Sequence, residues 1–423
     1  MFQFLHVADI HLDSPLRGLA QYEGVPVEKM RGATRQAFKN LVEAAIERAV
    51  AFVVIAGDLY DGDWRDYQTG LFLMGQMAKL KDAGIPVFII AGNHDAANKM
   101  TRDLRLPDNV KKLGHKKAET TRLDDYQVAI HGQSFATQAV FDDLAARYPA
   151  GERSWFNIGL LHTCWTGREG HERYAPCTLD TLRSKQYDYW ALGHVHQREI
   201  LHEDPYIAFS GNLQGRHIRE TGPKGCLLVT VDDAHRIQVE PHFVDVLRWE
   251  RCLVDCTDAP TDEEVLERFN GEFQTLLKEA DDRLLAVRVE LTGPCQAHKK
   301  LAASPERYVN EIRSQAQELG GGDAWVEKVA LGTSLPQTLD EALLTEGPVG
   351  ELNQLIAELS ANDDRLQVLG NEKELADLKK KLPPELKEGP DGLDLDNSAN
   401  LRAILHQVRQ ILISRLMPGG GES

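Results

Sequence analysis

Along the first 250 residues, short apolar runs of strand length alternate with stretches whose apolar residues recur at helical spacing. QFLHVA, FVVIAG, PVFIIAG, YQVAIHG, FNIGLLHT and DYWALGH each end in a Gly, Asp or His cluster, and helix-period segments near 26–50 and 66–83 separate the first three. Such alternation predicts a layered α/β domain. After residue 200, REILHE, YIAFSG, KGCLLVTVD and RIQVEPHFVDV follow as strands alone. An α/β domain that closes with consecutive strands points to two packed sheets flanked by helices.

A second pattern begins near residue 248: a strand (RWERCLVDC), a helix (262–280), a strand (LLAVRVELTG), a helix (305–319) and a strand (AWVEKVALG). This β-α-β-α-β unit is long enough to bury a core of its own. Beyond 335 only helical stretches are expected, at 339–361 and 370–381. A Pro/Gly/Asp-rich link, PPELKEGPDGLDLD, then leads to an amphipathic helix at 398–416. The expected division is 1–247, 248–335 and 336–423.

Length and composition narrow the class. At 423 residues, with 42% hydrophobic and 27% charged, the chain is neither fibrous nor disordered. No apolar run approaches the roughly 18 residues of a bilayer span. The start, MFQFLHVADIHLDSP, lacks the marks of a secretory leader, so a cytoplasmic protein with no membrane partner is expected. The six cysteines show no two-residue spacing and read as reduced core thiols. The net charge of -17 argues against a uniformly basic, nucleic-acid-gripping surface, yet it is uneven. Residues 1–250 carry 29 Lys and Arg against 33 Asp and Glu, whereas 251–423 carry 19 against 32.

Five motifs sit at strand ends: Asp9-x-His11, Gly57-Asp58, Gly92-Asn93-His94-Asp95, His162, and Gly193-His194-Val195-His196. Carboxyl ends of strands are where open α/β sheets place ligands. Asp, Asn and His without thiolates suit manganese, iron or zinc rather than a structural zinc cage. Two cations about 3.5–4 Å apart need a bridging carboxylate, for which Asp58 is the candidate. Asp9 with His11, and His194 with His196, each place two ligands on one side of an extended segment. A string such as GNHD arises by chance in roughly one chain in a thousand of this length, so five such motifs in order point to a site rather than to turns.

These motifs resemble those of the calcineurin-like metallophosphoesterases (D-x-H, GD, GNH[DE], H, GHxH). VADIHLDSPL at 7–16, GDLYD at 57–61 and GNLQGRHIRE at 211–220 narrow the likeness to SbcD-type DNA repair nucleases, and within them to the bacterial YhaO-type subfamily. The resemblance implies a four-layer α/β/β/α sandwich, a small α+β capping domain and a helical C-terminal region. It implies two divalent ions, manganese by family preference, one held by Asp9, His11, Asp58 and His196 and the other by Asp58, Asn93, His162 and His194. The nucleophile would be a metal-bridging hydroxide, with His94 as general acid on the leaving oxygen and Asp95 orienting its imidazole. Where some of the family's nucleases carry a histidine three residues after the bridging Asp, this chain has Asp61.

Metal chemistry by itself leaves the substrate open. KKLGHKK at 111–117 reads equally as a phosphate contact or a solvated loop, while Arg216, His217 and Arg219 lie in a Gly-bounded loop suited to an anion. Trp64, Trp155 and Trp165 suit core or rim packing better than base stacking. The apolar stripe of the 398–416 helix fits either its own chain or, by family likeness, an SbcC-like coiled-coil ATPase. The sequence therefore reads as a DNA repair nuclease, partnered by that ATPase and dimeric by likeness. A nucleotide or phosphoprotein phosphodiesterase or phosphatase, and a non-catalytic scaffold for the ATPase, are the rivals.

Overall fold

In β1 (Phe2–Val7), Phe4 and His6 point to one face and Leu5 and Val7 to the other, and all four are fully buried. A strand buried on both faces belongs in the middle of a layered domain. The structure, a computed structural model, describes residues 1–14, 30, 32–61, 67–97, 106–165, 174–336, 347–381 and 393–416. Among these, no helix is long and apolar enough to cross a membrane.

The same two-sided burial recurs in β2 (Phe52–Ala56) and β3 (Val87–Ile90). With β4 (Val110–Lys112), β11 (Gly225–Val231) and β12 (Ile237–Phe243) they form a six-stranded sheet of order β12-β11-β1-β2-β3-β4, parallel from β1 to β4. A second sheet has the order β5-β6-β7-β8-β10-β9. Its strands are β5 (Glu119–Leu123), β6 (Val128–Gly132), β7 (Phe156–His162), β8 (Tyr189–Gly193), β9 (Glu199–Glu203) and β10 (Tyr206–Phe209).

Phe4, Phe52, Phe88, Phe156 and Tyr189 fill the space between the sheets. On the outer face of the first sheet, Leu5, Val53, Ile55 and Val87 meet Phe38, Leu41 and Met77 of α1 (Ala33–Glu47) and α2 (Tyr67–Asp82). Tyr148, Leu182, Tyr187 and Trp190 pack outside the second sheet, where the described helical cover is the short α4 (Leu179–Ser184) and a 3-10 turn at Ala145–Arg147. Trp165 joins that outer core, as packing predicts; Trp64 lies outside the described residues. A further helix, α3 (Asn93–Ala97), opens on the third motif. All six cysteines are buried and unbridged.

The described residues fall into two compact units: those up to Arg216 together with Gly222–Arg248, and His217–Thr221 with those from Trp249 onward. In the second, β13 (Leu247–Asp255), β14 (Leu284–Pro294) and β15 (Ala324–Ser334) form a three-stranded sheet. It is packed by α5 (Asp262–Glu279), α6 (His298–Ala303) and α7 (Pro305–Gly320) through Phe269, Phe273, Tyr308 and Ile312. Helix α5 starts where the Thr261 hydroxyl accepts the Glu264 N–H and three acidic residues face the positive helix end.

Beyond these come α8 (Gly347–Ser360), α9 (Asp363–Gly370), α10 (Lys373–Lys381) and α11 (Ser398–Leu416). The expected helix at 370–381 is found as α10, and α9 is an additional helix ahead of it, started by the Asn362 side chain, which accepts the Arg365 N–H, and ended at Gly370. Leu401 of α11 is buried with Leu366 and Leu395, while Arg402 donates to the Ser360 carbonyl (2.8 Å) and Arg409 to Asn353 Oδ1 (2.6 Å). The early turns of this helix fold back on the chain itself.

Candidate metal centre

Parallel strands deliver their carboxyl ends to one rim. Asp9 and His11 follow β1, Asp58 follows β2, Asn93 and His94 follow β3, His162 ends β7, and His194 and His196 follow β8. Backbone bonds lace these ends together: the Asp9 N–H donates to the Gly57 carbonyl (3.1 Å), the His11 N–H to the Asp58 carbonyl (3.1 Å) and the Thr163 N–H to the Gly193 carbonyl (3.1 Å). The carboxylates reach between motifs as well. Asp9 accepts the His194 N–H (3.0 and 3.1 Å), and Asp58 Oδ1 accepts the His94 N–H (3.0 Å).

Four of these residues sit at positive φ: Asp9 at 50°, His11 at 46°, Asp58 at 51° and His194 at 98°. Left-handed backbone outside glycine costs of order 1–3 kcal/mol per residue and clusters at functional sites. Here it turns successive side chains inward at the points where the strands end. Gly57 (φ 97°) has no such freedom to gain a side chain, since a Cβ there would lie 2.4 Å from His162 Nδ1.

The donor atoms gather into overlapping groups. Asp9, His11 and His196 offer ligand atoms within 4.8 Å of one another; so do Asp58, His162 and His194, and so do His11, Asp58 and His94. Two ligands about 2.1 Å from one cation stand at most about 4.2 Å apart, so these groups are close to a metal-holding span. Asp58 and His11 each belong to two of them, and of these Asp58 is the carboxylate, the residue type able to bridge two cations. Asn93 Oδ1 lies 2.9 Å from His162 Nε2, which also lies 3.3 Å from Asp58 Oδ2.

The residues fit cations on two further counts. His11 and His196 turn their Nε2 atoms toward each other at 3.1 Å, and the buried His11 Nδ1 has no hydrogen-bond partner among the described residues. Burial opposes charge on His162, but Asp58 and Asp9 outweigh it and raise its pKa to about 9. Burial alone would raise Asp58, yet His162 and His94 hold it well below the carboxylate range. Burial dominates at Asp9, against the pull of His196 and His162, and lifts it to about 6. A pocket that favours positive charge among buried carboxylates accepts divalent cations, with the imidazoles then neutral as ligands.

One sequence expectation changes. His94 Nδ1 meets Asp61 Oδ1 at 3.0 Å, not Asp95. Asp95 is instead committed to backbone, accepting the N–H groups of Leu59 (3.2 Å), Tyr60 (3.0 Å) and Gly92 (3.0 Å), so it braces the second motif against the third. Asp61 also accepts from the Ser14 hydroxyl (2.5 Å) and lies 3.5 Å from Arg216 Nη1. Burial raises the Asp61 pKa and is outweighed by His94, Ser14 and Arg216, which lower it. For His94, burial lowers the pKa and Asp61 and Asp58 raise it further than burial lowers it. Neither Ser14 nor the orienting role of Asp61 was read from the motifs; their signal was position alone, within VADIHLDSPL and GDLYD.

Of the anion-loop residues, Arg216 lies at the site, with Nη2 3.2 Å from His196 Nδ1. His217 and Arg219 fall in the second unit, where His217 faces Glu220 at 3.6 Å and accepts the Arg219 N–H at 3.3 Å.

Comparison with known proteins agrees with this geometry. Residues 2–198 match the model of the calcineurin-like phosphoesterases, and residues 249–334 match that of the middle domain of metallophosphoesterase YhaO. The metallophosphoesterase YhaO of Bacillus subtilis, itself uncharacterized, is 34% identical over 319 residues, covering 74% of this chain and 77% of that protein. The DNA double-strand break repair protein Mre11 of Methanopyrus kandleri is 24% identical over 352 residues, 75% of this chain and 72% of that one. A crystal structure of a dimetal phosphatase from Danio rerio covers 57% of this chain and 96% of that one at 13% identity and a TM-score of 0.37, too low to bear on fold or function. With its D-x-H, GD, GNHD, His and GHxH elements on one rim and a relative alike along most of both chains, the protein belongs to the YhaO family of calcineurin-like metallophosphoesterases and is a phosphoester hydrolase.

Proposed function

We propose that this phosphoesterase is a DNA repair nuclease that hydrolyses DNA phosphodiester bonds with two divalent cations, manganese by preference, iron or zinc being compatible with the ligands. The observation that carries the reading is the set of overlapping ligand groups, Asp9 with His11 and His196, and Asp58 with His162 and His194, linked by a third that joins His11 and Asp58 to His94, whose side chain is 37% exposed. When bound, the cations supply Lewis acidity toward the phosphoryl oxygens and acidify water for attack. Asp9, His11, Asp58 and His196 would hold one, and Asp58, Asn93, His162 and His194 the other.

The chain's own groups complete the chemistry. Asp61 occupies Nδ1 of His94, which leaves Nε2 to pass a proton to the departing oxygen. Arg216, held between Asp61 and His196, places a guanidinium where a phosphate needs one. Asp95 keeps the Asp58 and Asn93 turns at fixed separation through its three backbone bonds. The likeness to archaeal Mre11 proteins favours DNA over small phosphodiesters as substrate.

An SbcC-like ATPase partner and a homodimer belong to the same proposal. Because Leu401, Arg402 and Arg409 already bind within the chain, an ATPase would use the exposed face of α11 that carries Val408, which is 38% exposed. A charge introduced at Val408 should then weaken capture of the ATPase; unchanged capture would exclude this helix as its dock.

The decisive assay is manganese-dependent cleavage of end-labelled duplex and single-stranded DNA beside a cyclic nucleotide. His94→Ala should keep both ions and lose most cleavage. Activity confined to the cyclic nucleotide would instead favour the small-phosphodiester reading, and none on any substrate the scaffold reading.

A further inference from the structure

Strands β4 and β5 are edge strands of the two different sheets, and the segment 113–118 crosses from one to the other. Lys111, Lys112, His115, Lys116 and Lys117 on and around it are all exposed. None of these four lysines makes an ion pair among the described residues. Of the described acids nearby, Asp108 pairs with Lys81 (2.8 Å) and Glu152 with Arg122 (2.7 Å), and Glu119 makes no ion pair with these lysines. In a chain of net charge -17, four unpaired ammonium groups within seven residues are a local inversion of sign.

The backbone beneath them is tied to the catalytic rim. The Leu113 N–H donates to the Ile89 carbonyl (2.9 Å), and Leu113 is buried between the sheets. The Ser134 hydroxyl donates to the Leu113 carbonyl (2.5 Å) and accepts the Ala91 N–H (2.9 Å) just ahead of the Gly92-Asn93 turn. The Ser134 N–H donates to the Gly114 carbonyl (2.9 Å), and Gln133 Nε2 to the His115 carbonyl (3.1 Å). The adjacent Phe135 donates its N–H to Ala91 (2.9 Å) and sets its ring edge-on to His162 at 5.5 Å. The exposed lysines therefore stand on a backbone tied through Leu113, Gly114 and His115 to the segment that bonds Ala91 and meets His162.

Lys112 pairs in register with Ile89, one strand over and three residues ahead of Gly92. At about 4.8 Å between strands and 3.3 Å per residue, its backbone is on the order of 11 Å from that turn. Successive phosphates of one strand advance about 3.4 Å along the duplex axis and lie farther apart than that through space, so the lysines stand within roughly three phosphates of that turn.

We propose that the lysine segment 111–117 is a binding site for the sugar-phosphate backbone of a DNA strand whose scissile phosphate occupies the metal rim. This rests on the nuclease reading above and adds to it a second, remote contact that a small phosphodiester cannot reach.

The test compares full-length, manganese-loaded wild type with Lys116→Gln/Lys117→Gln, with the charge-keeping Lys116→Arg/Lys117→Arg, and with Lys79→Gln/Lys278→Gln, which removes two exposed lysines elsewhere. Binding of labelled single-stranded and duplex DNA is followed against salt, and kcat/KM is measured for DNA and for bis(p-nitrophenyl) phosphate. Loss of two phosphate contacts should raise Kd about tenfold and flatten the salt slope by about 2. The DNA-to-small-diester ratio of kcat/KM should fall with it, and the arginine pair should restore both. DNA binding that is unchanged in Lys116→Gln/Lys117→Gln, or equally weakened in Lys79→Gln/Lys278→Gln, overturns this site and leaves the nuclease reading standing. A wild type that hydrolyses the small diester but neither binds nor cuts DNA overturns both.

Discussion

Gly92→Ala tests whether the site is as closely built as it looks. A Cβ at this position would stand 2.2 Å from Asp58 Oδ1, 2.8 Å from the Asp58 backbone nitrogen and 2.8 Å from His162 Cε1. Carbon contacts settle near 3.5–4.0 Å, so the nearest atom must move by more than about 1 Å. Asp58 has nowhere to go: Oδ1 accepts the His94 N–H at 3.0 Å and Oδ2 lies 3.3 Å from His162. Overpacking of this kind costs about 1–3 kcal/mol of stability.

The functional loss should be larger, because the displaced atoms are two of the proposed metal ligands. Disturbing even the partners of ligands lowers affinity or activity by roughly 10–100-fold, and Gly92→Ala should do at least that. The internal control is Gly75→Ala, in α2, where a Cβ meets nothing within 4 Å. There the helix should gain about 0.5–1 kcal/mol with no change in turnover. Metal content at limiting manganese, turnover of bis(p-nitrophenyl) phosphate and thermal unfolding would be measured on both variants. Wild-type metal content and turnover in Gly92→Ala would show that Asp58 and His162 are not ligands at the positions described.

The two carboxylates around the third motif should separate by phenotype. Asp61→Asn should lower turnover about tenfold or more with little loss of stability, since general-acid contributions run to roughly 10²–10⁴. Asp95→Asn should instead destabilise by about 1–3 kcal/mol, because it disturbs three buried backbone bonds; the opposite ranking would reverse their roles. Buried His6, bonded to the Tyr189 hydroxyl (2.9 Å), has its pKa lowered to about 3 by burial, only partly offset by the Leu192 carbonyl. Between its ordinary value and that one, the unfolded chain binds the proton and the folded chain does not. Stability should therefore fall as pH drops below about 6.5, by about 1.4 kcal/mol per pH unit. Urea unfolding of His6→Phe should show a shallower pH dependence, and parallel profiles would refute the argument. Finally, stripping metal should lower the melting temperature and manganese at a hundred times its Kd should restore about 2.7 kcal/mol; no shift on titration would count against a resident cation.

Much of the architecture was legible because burial imposes period. Phe4, Leu5, His6 and Val7 are apolar or neutral on both faces, as a central strand requires, and the motifs follow such strands at their carboxyl ends. The two short edge strands β4 and β5 were not legible: Val110–Lys112 and Glu119–Leu123 are half-exposed and polar, so their sequence carries no strand-like alternation. Likewise, helical periodicity marked the 398–416 helix without saying that Leu401 meets Leu366 and Leu395.

The order of the metal-ligating residue types, their place at strand ends and the family they announce were determined by the sequence itself, because ligand chemistry and strand period are local. Which carboxylate serves which neighbour was decided only by the tertiary structure. Asp95 adjoins His94 in the chain, yet it turns to three backbone N–H groups while Asp61, more than thirty residues away, takes the imidazole. The reason is physical: the parallel register of β2 and β3 sets the turns after them side by side, so that the Leu59 and Tyr60 N–H groups meet Asp95 and Asp61 meets His94, and this sets the directions of these side chains. Those directions depend on hydrogen bonds between strands distant in sequence, which no spacing along the chain records.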